Sequence, residues 1–155
     1  MSIKDIAYRQ YQEIVDRAGY QMRESVVPPE GWLCTARKAL KMSGAQLSRR
    51  LGVSRSQVSK TEKNELSGSV TIKTMQHMAE KMDCRFVYAI VPEKRVEDIL
   101  LARAKEKAFS IVKRTNEHMA LEGQTLSAQQ IQFEVERLQM DLVNTMPSDF
   151  WDDKQ

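Results

Sequence analysis

The sequence predicts a mainly α protein with an amphipathic N-terminal helix, one β-strand and C-terminal helices. Three observations carry that expectation. Apolar residues recur at intervals of three and four along most of the chain, the spacing that lines up one face of a helix. Serine followed three residues later by glutamine marks several helix starts, because the two side chains reciprocally satisfy free backbone N–H groups. A single short run, Cys84-Arg-Phe-Val-Tyr-Ala-Ile-Val91, is instead rich in β-branched and aromatic residues and is bounded by Asp83 and Pro92.

Taken in order, Ile3, Ala7, Tyr11, Ile14, Ala18 and Met22 make residues 3 to 23 an amphipathic helix. Pro28-Pro29 within the Val26 to Gly31 stretch ends it, so residues 1–30 form an arm and linker. A second helix is expected from about Trp32 to Met42. Ser43 and Gln46 then form a capping box with Met42 and Leu47 as its hydrophobic staple, and Ser54 and Gln57 repeat the box with Val53 and Val58. Leu51 closes the first of these helices, and Gly52 supplies the left-handed residue after it. A third start near Thr71 has Val70 and Met75 as its staple and carries Ile72, Met75, Met78, Ala79 and Met82 on one face, which reads as core.

A lone strand over residues 84–92 cannot pair with itself, so a second copy of the chain is the expected partner, with Phe86, Val87, Tyr88 and Ile90 in a homodimer interface. From Glu93 to Leu121 the stripe of Val96, Ile99, Leu100, Ala104, Ala108, Ile111, Val112 and Met119 predicts a long helix stopped at Gly123. Ser127 and Gln130 box the next helix, whose stripe of Val135, Leu138 and Leu142 runs to about Thr145. Together these make a C-terminal helical region over 93–146. Residues 147–155 are acidic with two aromatics, Phe150 and Trp151, and read as an exposed tail.

At 155 residues, with 41% hydrophobic and 29% charged residues, the chain has the size and balance of one ordinary soluble domain with extensions. It contains no apolar run of membrane-spanning length and no signal-peptide start, which predicts a cytoplasmic, nucleoid-associated protein without membrane contact. Cys34 and Cys84 lack metal-ligand or disulfide spacing and are expected to be buried thiols, so no metal and no cofactor is implied. His77 and His118 each stand on an amphipathic helix without a matched nucleophile, and no catalytic centre is expected. The net charge of +3 is concentrated. Between Arg37 and Lys63 eight basic residues oppose the single acid Glu62, a local +7, which leaves −4 for the remainder. Such a field attracts a polyanion.

Two helices joined by a short turn containing glycine, here over residues 43 to 64, form a helix-turn-helix, whose second helix enters the DNA major groove. This places a DNA-binding domain at residues 31–83. On the second helix Val58 and Thr61 wheel toward the core, while Arg55, Ser56, Ser59, Lys60 and Lys63 point outward. Arg55 and Lys60 are the residue types that bond guanine O6 and N7, Gln57 suits adenine, and Ser56 permits close approach. Arg49, Arg50, Lys63 and the helix N-termini would hold phosphates. Gln46, Ser54, Ser59 and Asn64 complete the candidate DNA-facing set. A palindromic operator in double-stranded DNA, with half-sites roughly 34 Å apart, is expected if the strand joins two copies.

The run from Gly44 to Glu62, with Leu47, Leu51, Gly52, Val53, Ser54, Val58 and Glu62 at matching positions, resembles the helix-turn-helix of the Cro and phage-repressor family. The resemblance implies a five-helix lambda-repressor-like domain over about residues 32 to 83. It also implies that Arg37 and Glu62 form a structural ion pair. Thr61 replaces the family's usual large apolar residue, and Gly44 replaces a glutamine that often clamps a phosphate. More narrowly, the stretch from Trp32 to Pro92, with Ala-Arg-Lys-Ala-Leu, Gly-Ser-Val-Thr-Ile-Lys-Thr-Met and Asp-Cys-Arg-Phe-Val-Tyr-Ala-Ile-Val-Pro, is similar to the family called mobile mystery protein A. That resemblance implies an antitoxin and autorepressor encoded beside a Fic-domain toxin. The inhibitory motif of one class of Fic antitoxins is not matched, since His118 stands where it needs Ser or Thr before Glu122-Gly123. The alternative is a protein-binding antitoxin without a DNA-binding role.

Overall fold

The computed structural model describes residues 2–153. Its elements are α1 (Ile3–Met22), α2 (Trp32–Ala39), α3 (Gly44–Leu51), α4 (Arg55–Ser67), α5 (Ile72–Lys81), α6 (Val96–Leu121) and α7 (Ala128–Thr145). Two compact units result. One spans Met22–Ala89, and the other joins α1 to the chain from Ile90 onward.

In the first unit the helix ends are fixed largely by side chains three residues away. Ser43 Oγ accepts from Gln46 N at 3.0 Å, while Ser43 N donates to Gln46 Oε1 at 2.7 Å, which completes the box at α3. Gly52, at φ 71°, reverses the chain after α3, and Val53 N donates to Ser48 O at 3.0 Å. Thr71 Oγ1 accepts from Thr74 N at the start of α5. Helix α2 has no such cap of its own, because its N-cap is Gly31. Glu65, on α4, accepts instead from Trp32 N at 2.6 Å and Leu33 N at 2.8 Å. Gly31 permits this twice over. Its φ is 84°, and a Cβ there would stand 2.9 Å from the Glu65 carboxylate. Leu33, Leu47, Val58, Met75, Met78 and Met82 fill the core between these helices, with Ala36, Met42, Leu51, Val70 and Phe86 packed around them.

Four helices rather than five occupy residues 32–83, and no strand follows them among the described residues. Residues 84–92 carry β-forming side chains, but a strand exists only with a ladder partner, and the described residues offer none. Cys84 N donates to Ala79 O and finishes α5, Phe86 packs on the unit's own core, and its ring stacks on Tyr88 with centroids 5.7 Å apart. Val87, Tyr88 and Ile90 lie exposed. The expected dimerising strand is therefore replaced by an irregular segment anchored through Phe86. The cysteines depart from expectation too. Cys34 is half-buried, its thiol pushed up by burial and then by the Glu62 carboxylate, whereas Cys84 is exposed beyond the end of α5.

In the second unit α6 and α7 form an antiparallel-type hairpin closed by Ser127 and Gln130, whose side chains box the start of α7. Asn116 Oδ1 accepts from Leu126 N across the connection. The core holds Ala104, Ala108, Val112, Val135 and Leu142 together with Phe150, which is only 1% exposed. Of the expected exposed tail at 147–155, residues 149–153 are thus docked rather than free, and 154–155 lie outside the described residues. Arg103 donates to Phe150 O, Asp152 O and Asp153 Oδ1 at 2.9 to 3.0 Å, and Lys107 Nζ donates to Asp149 O. Trp151 stays 56% exposed, edge-on to Phe150. No described helix is long and apolar enough to cross a membrane.

Candidate nucleic-acid interface

The surface formed by α3 and α4 follows from what α4 buries. Val58 and Thr61 are its two buried residues, so the arc bearing Arg55, Ser56, Gln57, Ser59, Lys60 and Lys63 faces solvent. Thr61 is tolerated in the core because its Oγ1 donates to Gln57 O at 2.8 Å, one turn back on the same helix. Ser54 Oγ accepts from Gln57 N at 3.1 Å and caps the helix, but among the described residues no return bond runs from Ser54 N to the Gln57 side chain. The second box is therefore half made. The Gln57 amide is left on the outer surface, whereas the Gln46 carbonyl is committed to Ser43 N.

Cations on this segment divide into those already engaged and those without an acid. Arg37 is engaged most fully. Its Nε donates to Glu62 Oε1 at 2.6 Å, one terminal nitrogen donates to Glu62 Oε2 at 3.2 Å, and the other donates to Met42 O at 3.0 Å. Both side chains are only 14% exposed, and the bond to Glu62 raises the guanidinium further above its ordinary value. Lys38 donates to both carboxylate oxygens of Glu30 and, in return, holds that carboxyl below its ordinary range. Arg50 Nε donates to Lys81 O at 2.7 Å, with Asp83 3.8 Å away. Lys41, Arg49, Arg55, Lys60 and Lys63 have no acid partner among the described residues.

Lys41, Gln46, Arg49 and Arg50 also line a shallow depression of about 430 Å³ beside α3. Asn64 is half-buried near the far end of α4, where its backbone oxygen accepts from Ser69 N. The candidate positions Gln46, Arg49, Ser54, Arg55, Ser56, Gln57, Ser59, Lys60 and Lys63 are exposed on α3, on α4 and on the turn between them. Phe86, Val87, Tyr88 and Ile90 form no ladder. Lys41, one of the eight basic residues of the segment but not among the expected DNA-facing set, stands in the tight turn before α3 at φ 54°. Sequence reading passed over the α2 cap by Glu65, whose only sequence signal is Gly31 without a neighbouring capping side chain.

An array of unpaired cations around an exposed helix N-terminus suits a phosphate backbone, and the outward polar residues of α4 suit base edges. A helix-turn-helix family model matches residues 35–88. Neither the curated proteins nor the solved structures give a match. Residues 35–88 thus match a helix-turn-helix domain, the kind found in DNA-binding transcriptional regulators.

Proposed function

We propose that the protein is a sequence-specific repressor that binds a palindromic operator in its own promoter as a homodimer. The observation that carries this reading is the division of side chains on α3 and α4. Arg37, Lys38 and Arg50 are held by the protein itself, while Arg55, Gln57 and Lys60 stand outward at the start and middle of α4. Arg55 and Lys60 would bond guanine and Gln57 adenine, with Ser56 allowing close approach and Arg49 and Lys63 holding phosphates.

The similarity of residues 32 to 92 to the mobile mystery protein A family extends the proposal to an antitoxin acting in the cytoplasm on a Fic-domain toxin encoded beside it. The reading includes no catalysis. A labelled fragment of the upstream DNA tests the core of it: tight binding that weakens steeply with salt, and that random DNA competes poorly, is expected. No salt-sensitive binding to that fragment would overturn it. Co-expression with an adjacent Fic-domain protein tests the extension, which predicts a stable complex and relief of toxicity.

A further inference from the structure

Helix α1 is 20 residues long and buries none of them, although its sequence carries an apolar stripe. Ile3, Tyr11 and Ile14 are 88%, 65% and 62% exposed. Within its own unit the helix is anchored on another side, where Asp16 Oδ1 accepts from Val96 N at 2.9 Å and Gly19 lies against the ring of Pro92. Of the half-buried residues, Gln12, Val15, Asp16 and Gly19 fall on that side, roughly a third of a turn from the stripe, while Ala7 and Ala18 are half-buried within the stripe itself. Helices draw most of their stability from packing an amphipathic face, and the large side chains Ile3, Tyr11 and Ile14 of this face pack on nothing that buries them.

The stripe has a property that identifies its cover. Ile3, Ala7, Tyr11, Ile14, Ala18 and Met22 are separated by four, four, three, four and four residues, so the spacing reads the same from either end. Side-chain size is mirrored as well: large, small, large, large, small, large. We propose that a second copy of this chain covers α1, the two helices packing antiparallel about a twofold axis between Tyr11 and Ile14. Ile3 then meets the partner's Met22, Ala7 the partner's Ala18, and Tyr11 the partner's Ile14. The alanine pairs let the axes approach, and the central pairs fill the middle of a self-complementary interface.

Charge favours this arrangement over its rivals. Lys4 shares the stripe's face, so a parallel pair would set Lys4 against Lys4 and bring like helix ends together. The antiparallel pair sets Lys4 beside the partner's Gln21, at the negative end of the partner helix. Lys4, Arg9 and Arg17 balance Asp5, Glu13 and Asp16 along the helix, which leaves no excess charge to draw an anionic membrane or DNA. This inference rests on the dimer reading above and deepens it by naming the interface, in place of the segment 84–92.

Sedimentation of the full chain without DNA tests it. The expected mass is twice 17.9 kDa, and Ile14→Glu, which puts two carboxylates at the centre of the interface, should raise the dimer dissociation constant by about 100-fold or more. Its melting curve at low concentration should match that of the unaltered monomer, since the side chain is exposed within one chain. In a Cys34→Ser, Cys84→Ser background, oxidation of mixed Ala7→Cys and Ala18→Cys chains should give a disulfide-linked pair. Either variant alone should not, because like positions lie about 16 Å apart along antiparallel axes. A monomeric chain, a chain that associates only with lipid vesicles, or self-linking of Ala7→Cys would overturn the proposal. A dimer indifferent to Ile14→Glu would overturn this interface and leave the dimeric repressor standing. A dimer that Ile14→Glu dissociates, but that ignores its promoter, would do the reverse.

Discussion

The unit at Met22–Ala89 and the unit containing α6 and α7 reach a closed core by different routes. In the first, Ser43, Ser54 and Thr71 each cap the helix that follows them at a distance of three residues. Two of its longer ties, Arg37 to Glu62 and Glu65 to the start of α2, lead back to α4, and a third joins Arg50 of α3 to Lys81 O of α5. In the second, two helices alone form a hairpin with one open side, and Phe150 fills it from the end of the chain. Arg103 and Lys107 then hold the backbone around that plug across 42 to 49 residues of sequence. The difference teaches how each unit can fail. One depends on polar ties to its exposed helix, and the other depends on a single aromatic side chain.

Removing the plug should have the largest effect. Phe150→Ala leaves a void between α6 and α7 and should destabilise that unit by about 3 to 5 kcal/mol. Amide exchange over Ala104 to Val112 should accelerate while Leu47 and Val58 keep their protection. Equal loss of protection in both units would show that they unfold as one. The matching break in the first unit is Glu62→Ala, which strands the Arg37 guanidinium without its partner. A cost of about 2 to 3 kcal/mol is expected, below that of a fully buried pair because residual exposure lets water screen the charge. Chemical denaturation followed at the first unit would read it, and a change within a few tenths of a kcal/mol would show that the pair is ornamental. Arg55→Ala should act in the opposite sense, since this side chain is exposed and has no side-chain partner among the described residues. It should leave folding intact yet reduce discrimination between operator and random DNA by about 1 to 3 kcal/mol. Parallel losses on both DNAs would reassign Arg55 to a phosphate.

What sequence could reveal follows the same division. The limits of α1, the cap residues Ser43, Thr71 and Ser127, and the inward turn of Val58 are matters of three- and four-residue spacing, and they were legible before any coordinates. The docking of Phe150 was not, because nothing near Phe150 distinguishes a plug from a loose aromatic; the deciding partners, Arg103 and Lys107, stand on another helix. The segment Cys84 to Val91 shows the opposite error. Its side chains favour a strand, but strand formation is a property of two segments, and the described residues supply no second one. Among the basic residues, the local excess of charge is a matter of counting, but which cations the protein neutralises itself is not. That required the geometry of Glu30 and Glu62.

The smallest effect discriminates most finely, because it contrasts two glutamines at the same place in two successive helices. Gln46 closes its box on Ser43 N, so Gln46→Ala should cost about 0.5 to 1 kcal/mol of stability through the freed N–H group. Gln57 makes no such bond, and Gln57→Ala should leave the denaturation midpoint unchanged while weakening binding to the operator. A loss of stability in Gln57→Ala equal to that in Gln46→Ala would mean that the second box closes in solution. The Gln57 amide would then belong to the helix end and not to the groove, and base reading by α4 would fall to Arg55 and Lys60.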